Sequence, residues 1–591
     1  MKRGKKAKSG KGPTAPAAAG APQAASPGGL AGSADPANAA IYYQREAFST
    51  DVAKLMGRNA AGAGFLAGFA RHAKVERFIG YAKSQAEFEH FRADMAASDP
   101  APGGPRPSAW VPHGSREGLA AAGALFVYAP AIGPQCWLRH GAGEAAWSVV
   151  GLTHTISSDR VMDQFGELLT CPAEPWDALI CTSNAVKRTV EGVLDAYGAW
   201  LAERFRAARP KPRLELPVIP LGVDCDSFAG PEARAAARPA ARARLRLRED
   251  EVAFVFLGRL SYHAKAHPLP MYLALEAAGK RSGKPLVLVL AGYFFNDSIR
   301  RGFLEGARAF CPSVRVIHIE GRKPEARAAA WAAGDVFTSF SDNIQESFGL
   351  APVEAMAAGL PAVVSDWDGY RDTVIHGETG FCVPTAMPGP GAGAELALRY
   401  FSGQDSYDQY IGRVGQCTAV DVGAATDAYC ALIADPALRA RMGEAGRLRA
   451  RRVFDWSVIV PAYQALWSEL AKRRAARRGP APGLAYPLRD DPFGVFRAFP
   501  TQAIGEATLL ERVAADPLAE ATRIAASPMN NYALAFMLGR KELERVFEVL
   551  PAGKRVKVRD LLTLLPDSRR AALLRTIGWL AKGDIVKVVF E

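Results

Sequence analysis

Short runs of β-branched and aromatic residues alternate with longer alanine-rich stretches of helical pattern from Ile41 to about Ala475. Such alternation is typical of βα units, whose strands assemble into parallel sheets. We therefore expect an α/β protein with two Rossmann-like halves. The strand candidates are LFVYA at 125–129, WSVVGLTH at 147–154, ALICTS at 178–183, LPVIPL at 216–221, VAFVFLG at 252–258, PLVLVLAG at 285–292, VRVIHIE at 314–320, DVFTSF at 335–340 and PAVVS at 361–365.

Changes in composition divide the chain further. An Arg-, Ala- and Pro-rich stretch at 231–250 separates the two sets of strands and is predicted to be an exposed connection. A Pro- and Gly-rich stretch after the last helical pattern is typical of a linker between domains. The expected segments are a disordered basic tail at 1–36, an N-terminal Rossmann-like domain at 37–228, a C-terminal Rossmann-like domain at 229–476 whose last helix crosses back to the first, a linker at 477–494 and a small, mainly helical domain at 495–591.

Bulk composition restricts the class of protein. The chain has 591 residues, of which 49% are hydrophobic and 23% charged, as in ordinary globular proteins of several domains. Its eight cysteines show no paired spacing that would indicate zinc or a disulfide framework, which favours a reduced, cytoplasmic setting. The net charge of +13 suits anionic partners without choosing among nucleotides, acidic lipids and nucleic acid.

Two glutamates flank a predicted helix start in QESFGLAPVEAMAAGLPAVVSD, residues 345–366. Phe348 and Gly349 can make a tight turn, after which residues 350–358 have a helical pattern that ends at a glycine. Glu346 precedes this helix and Glu354 lies within it. Because free N–H groups at a helix N-terminus favour anions, we predict a phosphate site with a carboxylate on either side.

This stretch resembles the Glu-x7-Glu signature of retaining nucleotide-sugar glycosyltransferases of family 4, which have the GT-B architecture of two Rossmann-like domains facing a cleft. The resemblance implies that Glu346 binds the donor sugar and Glu354 the ribose. It also implies that the backbone near Phe348, Gly349 and Leu350 contacts the sugar or diphosphate. The co-substrate would be a nucleoside-diphosphate sugar, with no other cofactor and no metal.

The segment FLGRLSYHAK, which follows a strand, resembles the part of the family that grips the diphosphate. The resemblance assigns Gly258, Arg259 and Lys265 to this role, although Ala266 stands where the family usually has glycine after the lysine. Fixed cations would stabilise the charge that the departing nucleotide gains.

The first half of the chain offers weaker candidates for the acceptor domain. His154 ends the strand pattern VVGLTH, and family members often have a histidine near the donor sugar at such a strand end. The stretch GRNAAGAGFL at 57–66 contains Gly57, Gly62 and Gly64, which we interpret as a loop that faces the donor phosphates.

The expected function is retaining transfer of a sugar, a hexose by family resemblance, onto a hydroxyl of a glycan, a lipid-linked glycan or a small molecule. A sugar-nucleotide epimerase of the same architecture is an alternative. A second alternative is a nucleic-acid-binding or regulatory protein that uses Arg569, Arg570 and Arg575 on a winged-helix-like C-terminal domain.

Two further patterns concern membranes and metals. The basic stretch KRRAARR at 472–478 can contact anionic lipid at the inner face of a membrane or simply end a solvated helix. The Asp-x-Asp patterns at 224–226 and 366–368 are too common to predict a metal site.

Overall fold

The computed structural model describes residues 35–49, 57–477 and 486–589. These residues divide at residue 485 into two compact units. The larger unit contains two six-stranded sheets and a two-stranded ribbon, and the smaller unit contains a three-stranded sheet. Residues 1–34 of the predicted tail and residues 478–485 of the predicted linker lie outside the described residues.

The first sheet of the larger unit is entirely parallel, in the order β3-β2-β1-β4-β5-β6. This is the Rossmann order, which leaves a ligand-binding crevice at the carboxyl ends of the strands where the order reverses. The strands are Ala40–Tyr42 (β1), Phe78–Ala82 (β2), Ser108–Pro112 (β3), Ala124–Val127 (β4), Ser148–Leu152 (β5) and Ala178–Ile180 (β6). The helices are Arg45–Phe48 (α1), Gly57–His72 (α2), Gln85–Ser98 (α3), Arg116–Ala122 (α4), Gly133–His140 (α5), Asp159–Glu167 (α6) and Asn184–Phe205 (α7).

The second sheet repeats this topology in the order β12-β11-β10-β7-β8-β9, again all parallel. Its strands are Val252–Leu260 (β7), Leu286–Phe294 (β8), Arg315–Glu320 (β9), Val336–Ser339 (β10), Ala362–Ser365 (β11) and Gly380–Val383 (β12), and the ribbon is Thr385–Ala386 (β13) with Ala419–Val420 (β14). The helices are Pro231–Arg244 (α8), Leu269–Ser282 (α9), Asp297–Phe310 (α10), Pro324–Ala333 (α11), Leu350–Ala357 (α12), Tyr370–Thr373 (α13), Ala394–Phe401 (α14), Tyr407–Gln416 (α15), Val422–Ala434 (α16), Pro436–Arg449 (α17) and Trp456–Ala475 (α18).

Helix α18 packs against the first half of the chain, although it follows the second sheet in sequence. Its buried Trp456, Tyr463 and Trp467 belong to one hydrophobic cluster with Phe65 of α2 and Phe126 of β4. Asp455 caps the start of the helix and also accepts a bond from the backbone N–H of Cys225 in the connection between the halves. The final helix therefore fastens the second half of the chain to the first.

Sequence patterns located eight of the strands and missed others in both sheets. β1, β2, β3 and β12 were not among the predicted strands, and LPVIPL at 216–221 makes only one isolated bridge to the first sheet. The stretch 231–250 is largely exposed, as predicted, but most of it forms a helix, α8, whose inner face packs on the second half. There Arg238 and Arg242 both pair with Asp335 and donate to carbonyl groups at the end of α11.

The smaller unit, residues 486–589, combines helices with one antiparallel sheet in the order β16-β15-β17. The strands are Leu509–Arg512 (β15), Arg555–Lys557 (β16) and Val586–Val589 (β17), and the helices are Pro492–Val495 (α19), Pro517–Ala525 (α20), Pro528–Asn531 (α21), Arg540–Val549 (α22), Val558–Leu562 (α23) and Arg570–Lys582 (α24). Leu510, Phe547, Leu561 and Leu573 lie in its core. The mainly helical character is confirmed, and the three short strands were not predicted.

Candidate donor-binding and active site

The turn before α12 has the backbone that the sequence predicted. Gly349 has a φ of 92°, and a Cβ atom added to it would lie 2.1 Å from the ring of Tyr370. Only glycine fits such a position without strain. α12 begins at Leu350, and Gly359, with a φ of 74°, follows its C-cap residue. The two carboxylates thus lie on either side of a genuine helix N-terminus.

Glu346 forms an ion pair with Lys265, which approaches from the loop after β7. The side chains are only 11% and 24% exposed, so water screens the pair weakly. Burial acts to lower the pKa of Lys265, but the charges of Glu346 and Tyr370 outweigh it and raise the pKa overall. Lys265 is therefore a fixed cation beside the first carboxylate.

Arg259 lies next to Lys265 and supplies a second cation. It follows Gly258, whose φ is 146°, and its guanidinium donates a hydrogen bond of 2.7 Å to the carbonyl of Ala264. The charge of Arg259 acts on the pKa values of both Lys265 and Tyr407. The two predicted diphosphate ligands thus lie together at the carboxyl end of β7.

Glu354 is partly buried, and its carboxylate has no hydrogen-bond partner among the described residues. Burial raises its pKa to about 7, while the charges of Arg327 and Lys265 act in the opposite direction. The carboxylate lines a cavity of about 850 Å³ together with Leu350, Tyr293 and Arg322. This cavity does not include Glu346 or Lys265, so it corresponds to one side of the predicted site rather than to its centre.

His154 lies two residues beyond β5, at the carboxyl edge of the first sheet. Burial lowers its pKa to about 4, despite a hydrogen bond to the backbone of Tyr128, and its ring packs 4.5 Å from the ring of that tyrosine. Its Nε2 atom is buried without a hydrogen-bond partner. The imidazole is therefore neutral at physiological pH and retains one nitrogen for another group.

Hydroxyl groups of the first half hold the Glu346 loop of the second half. Thr155 Oγ1 donates to the carbonyl of Gln345 at 3.2 Å, and Thr182 Oγ1 donates to the carbonyl of Ser347 at 3.3 Å. Because Thr155 follows His154 directly, these bonds bring the histidine segment against the glutamate loop. The structure thus brings together His154, Glu346, Lys265 and Arg259, which sequence analysis had predicted separately.

Phe348 contributes only its backbone to this region. Its side chain is 1% exposed and packs 5.9 Å from the ring of Phe454 in the hydrophobic cluster shared by the two halves. A side-chain contact with a ligand is excluded by this packing.

The three glycines predicted to form a phosphate-facing loop lie instead within α2, so the loop interpretation is wrong. Gly64 nevertheless lines the cavity of Glu354, and a position near the donor stays a prediction. A Cβ on Gly62 would lie 2.3 Å from the carbonyl oxygen of Ala47, and one on Gly64 would lie 3.5 Å from the ring of Trp456. Gly57 is the first residue of α2 and is exposed. The small residues allow α2 to pack against α1 and α18. Residues 50–56, which precede α2, lie outside the described residues.

Sequence analysis missed Asp368, which it considered only as part of an Asp-x-Asp pattern. Ser183 Oγ donates to its Oδ1 at 3.0 Å across the cleft, and its φ is 43°. Burial and the charge of Glu346 raise the pKa of Asp368 to about 7.

In the other Asp-x-Asp pattern, at 224–226, Asp224 pairs with Arg71. In the described ranges, no group of three His, Cys, Asp or Glu residues is arranged to hold a metal ion. The sequence signal that could have found Asp368 is the pair Asp368-Gly369, which begins three residues after the end of the buried strand β11.

Two Rossmann folds that face each other across a cleft define the GT-B class, so the predicted fold is confirmed. Residues 237–413 match the model of the family described as Glycosyl transferases group 1. This match covers most of the second Rossmann-like domain, which is therefore similar to group 1 glycosyl transferases, as the sequence predicted.

Individual relatives agree with this classification. A D-inositol 3-phosphate glycosyltransferase of Xylanimonas cellulosilytica is 28% identical over 311 residues, which cover 51% of this chain and 59% of the relative. A phosphatidyl-myo-inositol mannosyltransferase of Mycobacterium tuberculosis is 28% identical over 257 residues, covering 43% and 54%. Among solved structures, a sucrose-phosphate synthase from Thermosynechococcus elongatus has 19% identity, coverage of 74% and 99%, and a TM-score of 0.43. The matched region spans about half the length of these two sequence relatives.

Proposed function

We propose that this protein transfers a sugar from a nucleoside-diphosphate sugar to a hydroxyl acceptor with retention of anomeric configuration. The observation that supports this most is the grouping of Lys265, Arg259 and Glu346 at the start of α12. A diphosphate needs cations and N–H donors, and a sugar needs a carboxylate that accepts bonds from its hydroxyls. This grouping offers all three within one cleft.

Each group has a proposed role in the donor complex. Arg259 and Lys265 bind the diphosphate and stabilise its charge as the glycosidic bond breaks. The backbone N–H groups of Gly349 and Leu350 bind the same phosphates or the sugar. Glu346 accepts hydrogen bonds from sugar hydroxyls and keeps Lys265 in place. Glu354 accepts the ribose hydroxyls from within the cavity beside α12.

His154 would hold the donor sugar from the opposite side of the cleft. A neutral imidazole with a free nitrogen can hydrogen-bond a sugar hydroxyl without adding charge to the site. Retention follows if the acceptor attacks the face from which the diphosphate leaves and the departing phosphate accepts its proton. We propose that the two cations make a divalent metal unnecessary, and residual activity in a chelator would support this.

The acceptor and the sugar are proposed only by class. The names of the relatives refer to mannosyl transfer and to inositol-containing molecules, which supports a hexosyl donor and a polyhydroxylated acceptor. Among the described residues, no helix is long and apolar enough to cross a bilayer. We retain a cytoplasmic location as a proposal because all eight cysteines are unpaired.

Peripheral contact with an anionic membrane through residues 472–477 has less support. Arg473 pairs with Glu215 and Glu469, and Arg474 donates to the carbonyl of Gly123. These two arginines serve the fold, so fewer cations are free for lipid than the sequence suggests.

Nucleic-acid binding by the C-terminal unit also loses support. Arg569 makes a two-point contact with Glu542, Arg570 pairs with Asp567, and Arg575 donates to the carbonyl of Phe536. The three arginines therefore hold their own unit together. An epimerase of the same architecture remains a second candidate, because such an enzyme would bind the same donor.

The test begins with a thermal-shift screen of the full chain against UDP-, GDP- and ADP-sugars, because a ligand that binds only the native state raises its melting temperature. The stabilising donor is then incubated with and without polyol acceptors, with EDTA present and absent. Proton NMR distinguishes a retained glycoside from an epimerised nucleotide sugar. Failure of every donor to stabilise the chain, or appearance of the epimer alone, would contradict the proposal.

A further inference from the structure

A helical hairpin reaches across the cleft from the second half of the chain to the first. It consists of α14 and α15, residues 394–416, and we call it the bridging hairpin. Tyr400 stacks on Tyr410 at 4.7 Å, and Arg399 and Arg413 both pair with the buried carboxylate of Asp405. These contacts give the hairpin its own internal structure.

The hairpin is fixed to the donor side through Asn343, which lies just before Glu346. The side-chain amide of Asn343 donates to the carbonyl of Ile411 at 3.2 Å and to the carbonyl of His263 at 2.9 Å. A Cβ on Gly412 would lie 2.9 Å from that of His263, so the two backbones are in close contact. The loop of Lys265 and the bridging hairpin thus share one anchor.

At its other end the hairpin holds the segment that carries His154. The hydroxyl of Tyr407 lies 2.8 Å from Ser157 Oγ, and the hydroxyl of Tyr400 donates to Asp159 Oδ1 at 3.0 Å. Ser157 is 8% exposed, so its bond is protected from water. Ser157 lies in the short connection between β5 and α6, and Asp159 is the first residue of α6, three and five residues after His154.

Tyr407 also lies close enough to Arg259 for its ionisation to respond to that charge. One side chain therefore touches the histidine segment and neighbours a proposed diphosphate ligand. We propose that Tyr407 is a positioning residue, which fixes the segment 154–157 through Ser157 so that His154 faces the donor sugar. This inference rests on the proposed function, because it assigns Tyr407 a part in the same reaction.

A purely structural role for the hairpin makes a different prediction. Thr155 and Thr182 already bond to the Glu346 loop, so loss of one further hydrogen bond would slightly lower the melting temperature and impair no specific catalytic step. Misplacement of a positioned group, in contrast, lowers turnover while donor binding on the opposite side stays intact.

The experiment compares Tyr407→Phe with Tyr410→Phe, because Tyr410 is a matched tyrosine of the same hairpin that makes no hydrogen bond to the described residues of the first half. The nucleotide sugar identified by the thermal-shift screen serves as donor. We expect Tyr407→Phe to lower kcat about 10-fold and to change donor Kd less than 2-fold. Ser157→Ala should reproduce this loss, and the double variant should be no worse than either single change. Tyr410→Phe should have near-normal kcat.

Two further measurements make the result decisive. In a His154→Ala background, Tyr407→Phe should cause no additional loss of kcat, because the group that it positions is absent. Hydrogen exchange of residues 153–159 should be faster in Tyr407→Phe than in Tyr410→Phe, with or without a donor. Unchanged exchange, or an equal 10-fold loss in the His154→Ala background, would overturn the inference. Absence of any donor binding in the unmodified chain would instead overturn the proposed function, and the exchange measurement would still stand.

Discussion

The two halves of the larger unit have the same topology but present different chemistry to the cleft. The second half contributes charge, in the form of Lys265, Arg259 and two glutamates. The first half contributes the neutral imidazole of His154 and the hydroxyls of Thr155 and Thr182 beside the Glu346 loop, and its Arg71 lines the cavity of Glu354. The groups proposed to hold the diphosphate thus all come from the second half, and neutral groups of the first half hold the loop of Glu346.

The largest expected effect comes from removing charge on the donor side. Glu346→Gln and Arg259→Ala should each lower transfer by about 10²–10³-fold, because each removes a fixed charge from the place where charge develops. Glu378→Gln, at an exposed position outside the cleft, is the control. Near-normal turnover in either active-site variant, with an unchanged melting temperature, would show that transfer does not depend on the charge removed from the second half.

A smaller loss is expected from the neutral side. His154→Ala should lower kcat about 10- to 100-fold while donor affinity changes little. Because burial lowers the pKa of His154 to about 4, the imidazole is neutral above that pH. The rate profile should therefore show no histidine inflection near pH 6.5. An inflection near pH 6.5 that disappears in His154→Ala, but not in the surface variant His90→Ala, would show that the imidazole of His154 takes up a proton in this pH range.

Glu354 should show a conflict between binding and stability. Its pKa is about 7 in the folded chain and 4.5 ordinarily, so ionisation destabilises the fold as pH rises from about 4.5 to 7, and the full cost is present above pH 7. Glu354→Gln should raise the melting temperature by about 2–4 °C at pH 8, with a smaller gain at pH 5.5. It should also raise donor Kd about 10-fold. A gain in melting temperature that does not depend on pH would contradict a raised pKa of Glu354 in the folded chain.

The smallest effect tests the glycines of α2. Gly64→Ala should stabilise the helix by about 0.5–1 kcal/mol, since its Cβ would lie 3.5 Å from Trp456. Gly68→Ala should destabilise the protein, because there the Cβ would lie 2.4 Å from the same ring. A loss of stability in Gly64→Ala would contradict this prediction, and because Gly64 lines the cavity of Glu354, donor affinity in the same variant measures whether α2 borders the donor.

The contrast also explains what the sequence could predict. The groups proposed to bind a diphosphate and a ribose lie within short stretches, so Arg259, Lys265, Glu346 and Glu354 were found from the resemblance of those stretches to family motifs. The opposing wall is assembled from Thr155, Thr182 and Ser183 at the ends of different strands, and single hydroxyls have no local pattern. The bridging hairpin was missed for the same reason, since its partners lie about 250 residues away.

Strand prediction failed where pairing rather than composition defines the element. β1 has three residues, and its pairing with β2 and β4 defines the strand. The helix at 231–244 was missed because its arginines and prolines suggested an irregular connection. Their guanidinium groups in fact bond to Asp335 and to carbonyls at the end of α11, which are visible only after folding.

The return of α18 to the first half affects how the protein can be recombined. A fragment that stops in the connection near residue 228 would leave Phe65, Phe69 and Phe126 without the aromatic residues that cover them. Chimeras that exchange donor specificity must therefore make two cuts, one near residue 228 and another just before Trp456, and transplant only the piece between. A chimera with a single junction near residue 228 would place α18 of one protein against the first half of another. We expect such a chimera to be insoluble, even if its active-site residues are all present.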